Sequence, residues 1–312
     1  MSTTMIGGLL AILSAFCYAL STVAIVKGAR SESGRGNDVL LSIIVTAVLS
    51  GGLWLLIGPG LTEFDRPALV GACYFVFAGF LGNVVGRLTL FRSVELTGAI
   101  ETGLIRRLIP VFAALLAFAL LGEAINLVMV AAFILITSGV VITVAGQASS
   151  GDVLREITQN ASSEKRTGRV MALTSAASYG GSFVSRKLAM KTLPDPLAGV
   201  FIGAMTGLVW FAISQLFPKH SSQRLRIALQ WPGQWQILAA VTMSAGQVVQ
   251  YFALQLTSVT VVALISSIEM FFAVWLAAYV LRTEEPPGGK FYLSALLAAI
   301  GVVLLAAFPA GS

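Results

Sequence analysis

Charge is scarce in this chain: Asp, Glu, Lys and Arg together make up 11% of its 312 residues. A water-soluble domain of this length needs far more. With a mean hydropathy of +0.88, the composition excludes an ordinary soluble globule and fits a helical protein that crosses a bilayer many times. Histidine is scarcer still, with His220 alone, in a polar stretch. There is no HExxH and no cluster of aspartates, so we expect no metal, no cofactor and no enzyme. No Walker A sequence is present, which leaves ATP out as a direct energy source. The two cysteines, Cys17 and Cys73, fall in apolar runs and give no disulfide framework. The net charge of +6 is scattered among apolar runs, so nucleic acid is not an expected partner. No basic segment or cleavage site precedes residues 6–26, which read as a retained first helix.

What the chain does have is long apolar runs. Ten are legible, at 6–26, 39–58, 68–91, 99–121, 124–146, 170–190, 196–217, 235–256, 259–281 and 288–308. Gly is abundant at 31 residues, as suits helices that approach closely in lipid. Most connections are short. The exception is the polar, Ser-rich stretch 148–169, which divides the chain into five runs at 1–147 and five at 170–312. A second polar stretch, 218–236, has room for a surface helix over Gln223–Gln230.

The halves resemble each other. Ser14, Tyr18 and Ser21 recur as Ser175, Tyr179 and Ser182 at the same depth of the first run of each half. Leu96-Thr97-Gly98 recurs as Leu256-Thr257-Ser258, and Val111-Phe112-Ala113 as Phe271-Phe272-Ala273. An odd number of spans per repeat inverts the second copy in the membrane. Inverted repeats place a central site at their interface and permit alternating access. The predicted fold is therefore all-α and polytopic, with ten transmembrane helices in two inverted five-helix repeats.

The most informative stretch is Thr97–Glu123. It is apolar enough to span a bilayer, yet Glu101, Arg106, Arg107 and Pro110 stand in its first half. The arginines fall within roughly 5 Å of the middle of the span, where an ionisable group is costly unless it meets a partner or a wet cavity. Pro110 removes a backbone donor and predicts a kink. This stretch, with its proline, its Val-Phe-Ala-Ala-Leu-Leu run and its terminal Leu-Gly-Glu, resembles the EamA-type members of the drug/metabolite transporter superfamily. A weaker second copy lies at Ala263–Glu285, where Met270 stands in the place of the family's frequent proline. The resemblance covers the chain apart from the 147–169 stretch. It implies a solute carrier whose first four helices per repeat line a central cavity, with the fifth helices outside.

The candidate substrate-binding residues are Arg106, Arg107, Glu269, Glu101, Tyr18, Tyr179, Gln247, Tyr251, Ser266 and Asn83. An arginine fork suits a carboxylate or phosphate; its alternative is to pair with a neighbouring helix. Glu269 aligns with Ile109, one turn from Arg106. It reads either as a carboxylate exchanging partners during transport or as a permanent ion pair with Arg106 or Arg107. Glu101 reads as a second cavity acid or a wet residue near the membrane surface. Arg87, Arg186, Lys187 and Lys27 are placed at the interface by snorkelling, and Glu123 at a helix end. Hydroxyls and amides at mid-depth bind solute or join helices.

The resulting reading is a multi-pass solute carrier of the plasma (inner) membrane, monomer or homodimer. It exports small polar, anionic or amphoteric metabolites, amino acids first. The rivals are a multidrug or lipid carrier with structural charges, and a membrane receptor or structural protein that transports nothing. Loops after odd-numbered spans carry fourteen of the 20 Lys and Arg. By that count both termini lie outside, whereas the family resemblance puts both inside.

Overall fold

The computed structural model describes residues 3–31, 38–59, 66–97, 99–124, 126–147, 163–215, 232–282 and 286–307. The proposed surface helix at 223–230, Trp231 and His220 lie outside these residues. Each of the ten apolar runs forms a helix: α1 (Thr3–Ser31), α2 (Asp38–Ile57), α3 (Arg66–Thr97), α4 (99–121), α5 (Leu127–Gln147), α6 (Ser163–Thr192), α7 (Pro196–Gln215), α8 (Gln234–Leu256), α9 (Val259–Val280) and α10 (Gly289–Ala307). α6 starts at Ser163, so the last seven residues of the expected connecting stretch are helical. α3 runs six residues past its expected end at 91 and contains a π-helical stretch, Phe80–Gly86.

The helix ends follow local chemistry. Asp195 Oδ1 accepts from the Leu197 and Ala198 amides at the start of α7 (3.0 and 3.1 Å). Asn126 Oδ1 accepts from Met129 N at the start of α5 (2.8 Å), and Ser258 Oγ from Val261 N at the start of α9 (3.2 Å). α4 stops at Gly122, whose φ of +69° is a left-handed conformation that costs a side-chain-bearing residue energy.

The repeats interlock by exchanging partners. α1 packs on α8 and α9, the third and fourth helices of the second repeat, while α6 packs on α3 and α4 of the first. Two hydroxyls mark the symmetry: Ser14 Oγ donates to the Gly246 carbonyl (2.9 Å), and Ser175 Oγ to the Gly86 carbonyl (2.8 Å). Two turns further along each helix, Ser21 donates to the Ala239 carbonyl (2.8 Å) and Ser182 to the Ala78 carbonyl (2.9 Å). These four serines are buried, and each replaces lipid-exposed hydroxyl with an interhelical bond. α5 and α10 pack on each other, with Gly139 against the Ser294 carbonyl and Gly301 against the Ala132 carbonyl.

The outer surface is apolar. Leu55, Leu56, Ile57, Val48, Leu127 and Val303 are among its exposed side chains, as a bilayer requires. α6 is the most polar of the spans: charged residues stand towards its two ends, and between them the buried Ser175, Ser178, Ser182 and Ser185 face protein rather than lipid.

α4 and α9 are both interrupted. α4 breaks at Arg107–Leu108, with Pro110 in the first turn of its second segment, Ile109–Leu121. α9 breaks at Ser267–Ile268 without a proline. The two breaks coincide when Ile109 is aligned with Glu269, so proline is not required for the second. In both, the ladder tightens to three-residue bonds: Leu108 N to Ile105 O (3.0 Å), and Ser267 N to Leu264 O (3.1 Å).

Candidate functional site

The broken helices face a cavity of 520 Å³ between α1, α2, α3, α4, α6, α8 and α9. Eight of the ten candidate residues line it: Arg106, Arg107, Glu269, Tyr18, Tyr179, Gln247, Ser266 and Asn83. Pro110 lines it too. The helix breaks explain how α4 and α9 present charge there. Each segment restarts at the break, and Arg107 and Glu269 stand in or beside it.

Two candidates lie elsewhere. Glu101 is ion-paired with Arg169 Nε (2.5 Å), joining α4 to the start of α6. Tyr251 sits behind the cavity wall, 3% exposed, with its ring against Phe75. It supports the site from there, because the Arg186 guanidinium lies 4.7 Å from its ring centre.

Arg186 and Arg87 were placed at the membrane interface by sequence; both line the cavity. Arg186 Nη1 donates to Gln250 Oε1 (2.8 Å), the same oxygen that accepts from the Tyr18 hydroxyl (3.3 Å). Its spacing from Tyr179 is seven residues, two turns along one face of α6. That spacing was the available signal. Arg87 follows the π-helical stretch directly, and π-turns re-aim the residues after them; no sequence signal marked this.

Lys187, also expected at the interface, instead donates to the carbonyls of Leu254 (2.6 Å) and Thr257 (2.9 Å) at the end of α8. That is the cation a helix C-terminus favours. Lys27 donates to the Leu281 carbonyl (3.2 Å) and lies over the Trp235 ring.

The electrostatics are one-sided. Among the described residues, four arginines, Arg87, Arg106, Arg107 and Arg186, share the cavity with one carboxylate, Glu269. Glu269 accepts from Thr22 Oγ1 (3.2 Å). Among the described residues it forms no salt bridge with Arg106 or Arg107. The Arg106 guanidinium lies 5.0 Å from the Tyr179 ring centre. Its Nε, like that of Arg186, is buried and has no hydrogen-bond partner among the described residues.

Ile25, Val39, Ser42 and Phe91 extend the cavity towards the ends of α1 and α3 and the start of α2. On the opposite side, polar contacts tie the helix ends together. Glu123 accepts from the Val259 amide (2.8 Å) and from the Thr260 hydroxyl (2.9 Å) at the start of α9, as a residue expected at a helix end does. Trp54 Nε1 donates to Asp195 Oδ2 (2.6 Å), and Gln255 to the Pro194 carbonyl (3.0 Å).

The family model for the EamA-like transporter family matches residues 5–145 and again 166–307. The chain belongs to the EamA-like transporter family. The two matches coincide with the two five-helix repeats, and the chain is a multi-pass membrane protein of the drug/metabolite transporter kind. A crystal structure of a protein 18% identical in sequence matches over 96% of this chain and 95% of its own, with a TM-score of 0.70. At that identity the likeness shows the shared fold. Among curated proteins, none matches.

Proposed function

We propose that this EamA-family protein moves small anionic or amphoteric metabolites, amino acids among them, by alternating access through the central cavity. The observation that carries the reading is four arginines against one carboxylate among the described residues that line the cavity, with Arg106, Arg107 and Glu269 at the two helix breaks. Cations at membrane depth are costly, and an anionic solute entering the cavity neutralises them. Apolar cations, the cargo of a multidrug carrier, would meet repulsion there.

Export across the plasma membrane is the direction this reading favours. The cavity extends towards the connections that follow odd-numbered helices, the side rich in Lys and Arg. The positive-inside rule makes that side cytoplasmic and both termini external, so an exporter in this state would be ready to load. The test is uptake of a labelled amino-acid mixture into proteoliposomes of the purified protein. The expected result is saturable uptake that unlabelled organic anions compete for. Uptake no greater than in empty vesicles, for amino acids and organic anions alike, contradicts it.

A further inference from the structure

The arginines stand at two levels of the cavity. Arg186 belongs to one: a methyl group placed on Gly82 would lie 3.6 Å from its Nη2. Arg106 belongs to the other, on the face of Tyr179, whose ring a methyl group on Gly86 would meet at 3.0 Å. Gly82 and Gly86 are four residues apart in the π-helical stretch, about one turn of that helix. The two levels are built independently. Arg186 is fixed by Gln250 on α8 and by the Tyr251 and Phe183 rings, and Arg106 by Tyr179 on α6.

Both guanidiniums have donors to spare. Arg186 uses one side-chain hydrogen bond, to Gln250, and Arg106 makes none among the described residues, out of five N–H donors each. The buried Nε of each lacks a hydrogen-bond partner among the described residues. Buried donors left unmade cost free energy, and the one lining carboxylate among the described residues, Glu269 on Thr22, is bonded to neither arginine. A monoanion could satisfy one level and would leave the other bare.

We propose that the preferred substrate is a small diacid, with two separate anionic groups that bridge Arg106 and Arg186. This rests on the reading of the cavity as the transport site. Arg107 and Arg87 contribute field at the same cavity. Arg186 is the residue that distinguishes two-headed from one-headed anions.

The test is calorimetric titration of the full-length protein in lipid nanodiscs, at fixed ionic strength, with succinate, glutarate, butyrate and glycerol phosphate. We expect succinate or glutarate to bind at least tenfold more tightly than butyrate and than glycerol phosphate, whose two charges sit on one head. Arg186→Gln should bring that preference to within about threefold, and Arg186→Lys should retain most of it. Thermal unfolding of each variant checks that it is folded. Butyrate binding as tightly as the diacids overturns the inference and leaves an anion carrier. Glycerol phosphate binding more tightly than the diacids overturns the two-headed geometry. If no probe binds but amino-acid uptake is saturable, the diacid inference fails alone; if neither occurs, the transport reading fails with it.

Discussion

Arg106 rests on the face of Tyr179, its guanidinium carbon 5.0 Å from the ring centre. The contact joins the fourth helix of one repeat to the first helix of the other, so it must respond to any rocking between them. A cation–π contact orients the guanidinium without consuming its N–H donors. Tyr179→Leu should therefore leave the fold intact and raise the apparent KM for an anionic substrate about threefold to tenfold. Tyr179→Phe should stay within twofold. Concentration-dependent counterflow separates these outcomes.

Glu269 makes the opposite kind of prediction for two kinds of cargo. Among the described residues it is the one carboxylate lining a cavity of four arginines. Glu269→Gln removes a repulsive charge for a simple anion and removes the partner for an ammonium group. Competition assays should show diacid affinity rising severalfold and that of a zwitterionic amino acid falling about tenfold.

Helices approach closely where α3 crosses α6. A methyl group on Gly86 would sit 3.0 Å from the Leu81 carbonyl and from the Tyr179 ring, whereas one on Gly52 would meet nothing within 4 Å. Gly86→Ala should lower the midpoint of thermal unfolding and weaken transport together, because the residue it displaces carries Arg106. Gly52→Ala should change neither, or raise the midpoint slightly by its better helix propensity.

The side away from the cavity is held by charge at helix ends. Glu123 satisfies the opening amide of α9 and the Thr260 hydroxyl. Removing a cap of this type costs roughly 1–2 kcal/mol. Glu123→Ala should show that as a lower unfolding midpoint in detergent, with Glu123→Gln intermediate.

Orientation is open to a direct check. Glu95 lies at the end of α3 that meets an odd-numbered connection, with 62% of its side chain exposed. In a background lacking Cys17 and Cys73, Glu95→Cys should react with an impermeant maleimide in inside-out vesicles and stay unlabelled in intact cells. The reverse pattern places the termini inside.

Much of this architecture was legible in the sequence because bilayer physics is simple. Ten apolar runs gave ten helices, and the serines of the repeat, Ser14 and Ser21 against Ser175 and Ser182, appear as matched interhelical bonds. Arg106 and Arg107 were visible because their cost at mid-depth demands a reason. Arg87 and Arg186 were read as interfacial because both stood near the ends of their expected spans. What hid them was three-dimensional: α3 continues to Thr97 through a π-helical stretch, and the partner helix α8 supplies Gln250 to hold Arg186 inside. The break in α9 was likewise hidden, because Met270 gives no proline signal and the interruption follows from the repeat's geometry. Glu101 was misleading for the converse reason, since its partner Arg169 belongs to a stretch read as connecting chain.

The central claim is that the arginines at the α4 break bind the transported solute. Counterflow in proteoliposomes, wild type against Arg106→Ala and Arg107→Ala with folding checked by gel filtration, tests it most directly. Saturable exchange in wild type that falls at least tenfold in a well-folded variant is the predicted result. Exchange unchanged in both variants would contradict it, and would make these charges part of the scaffold.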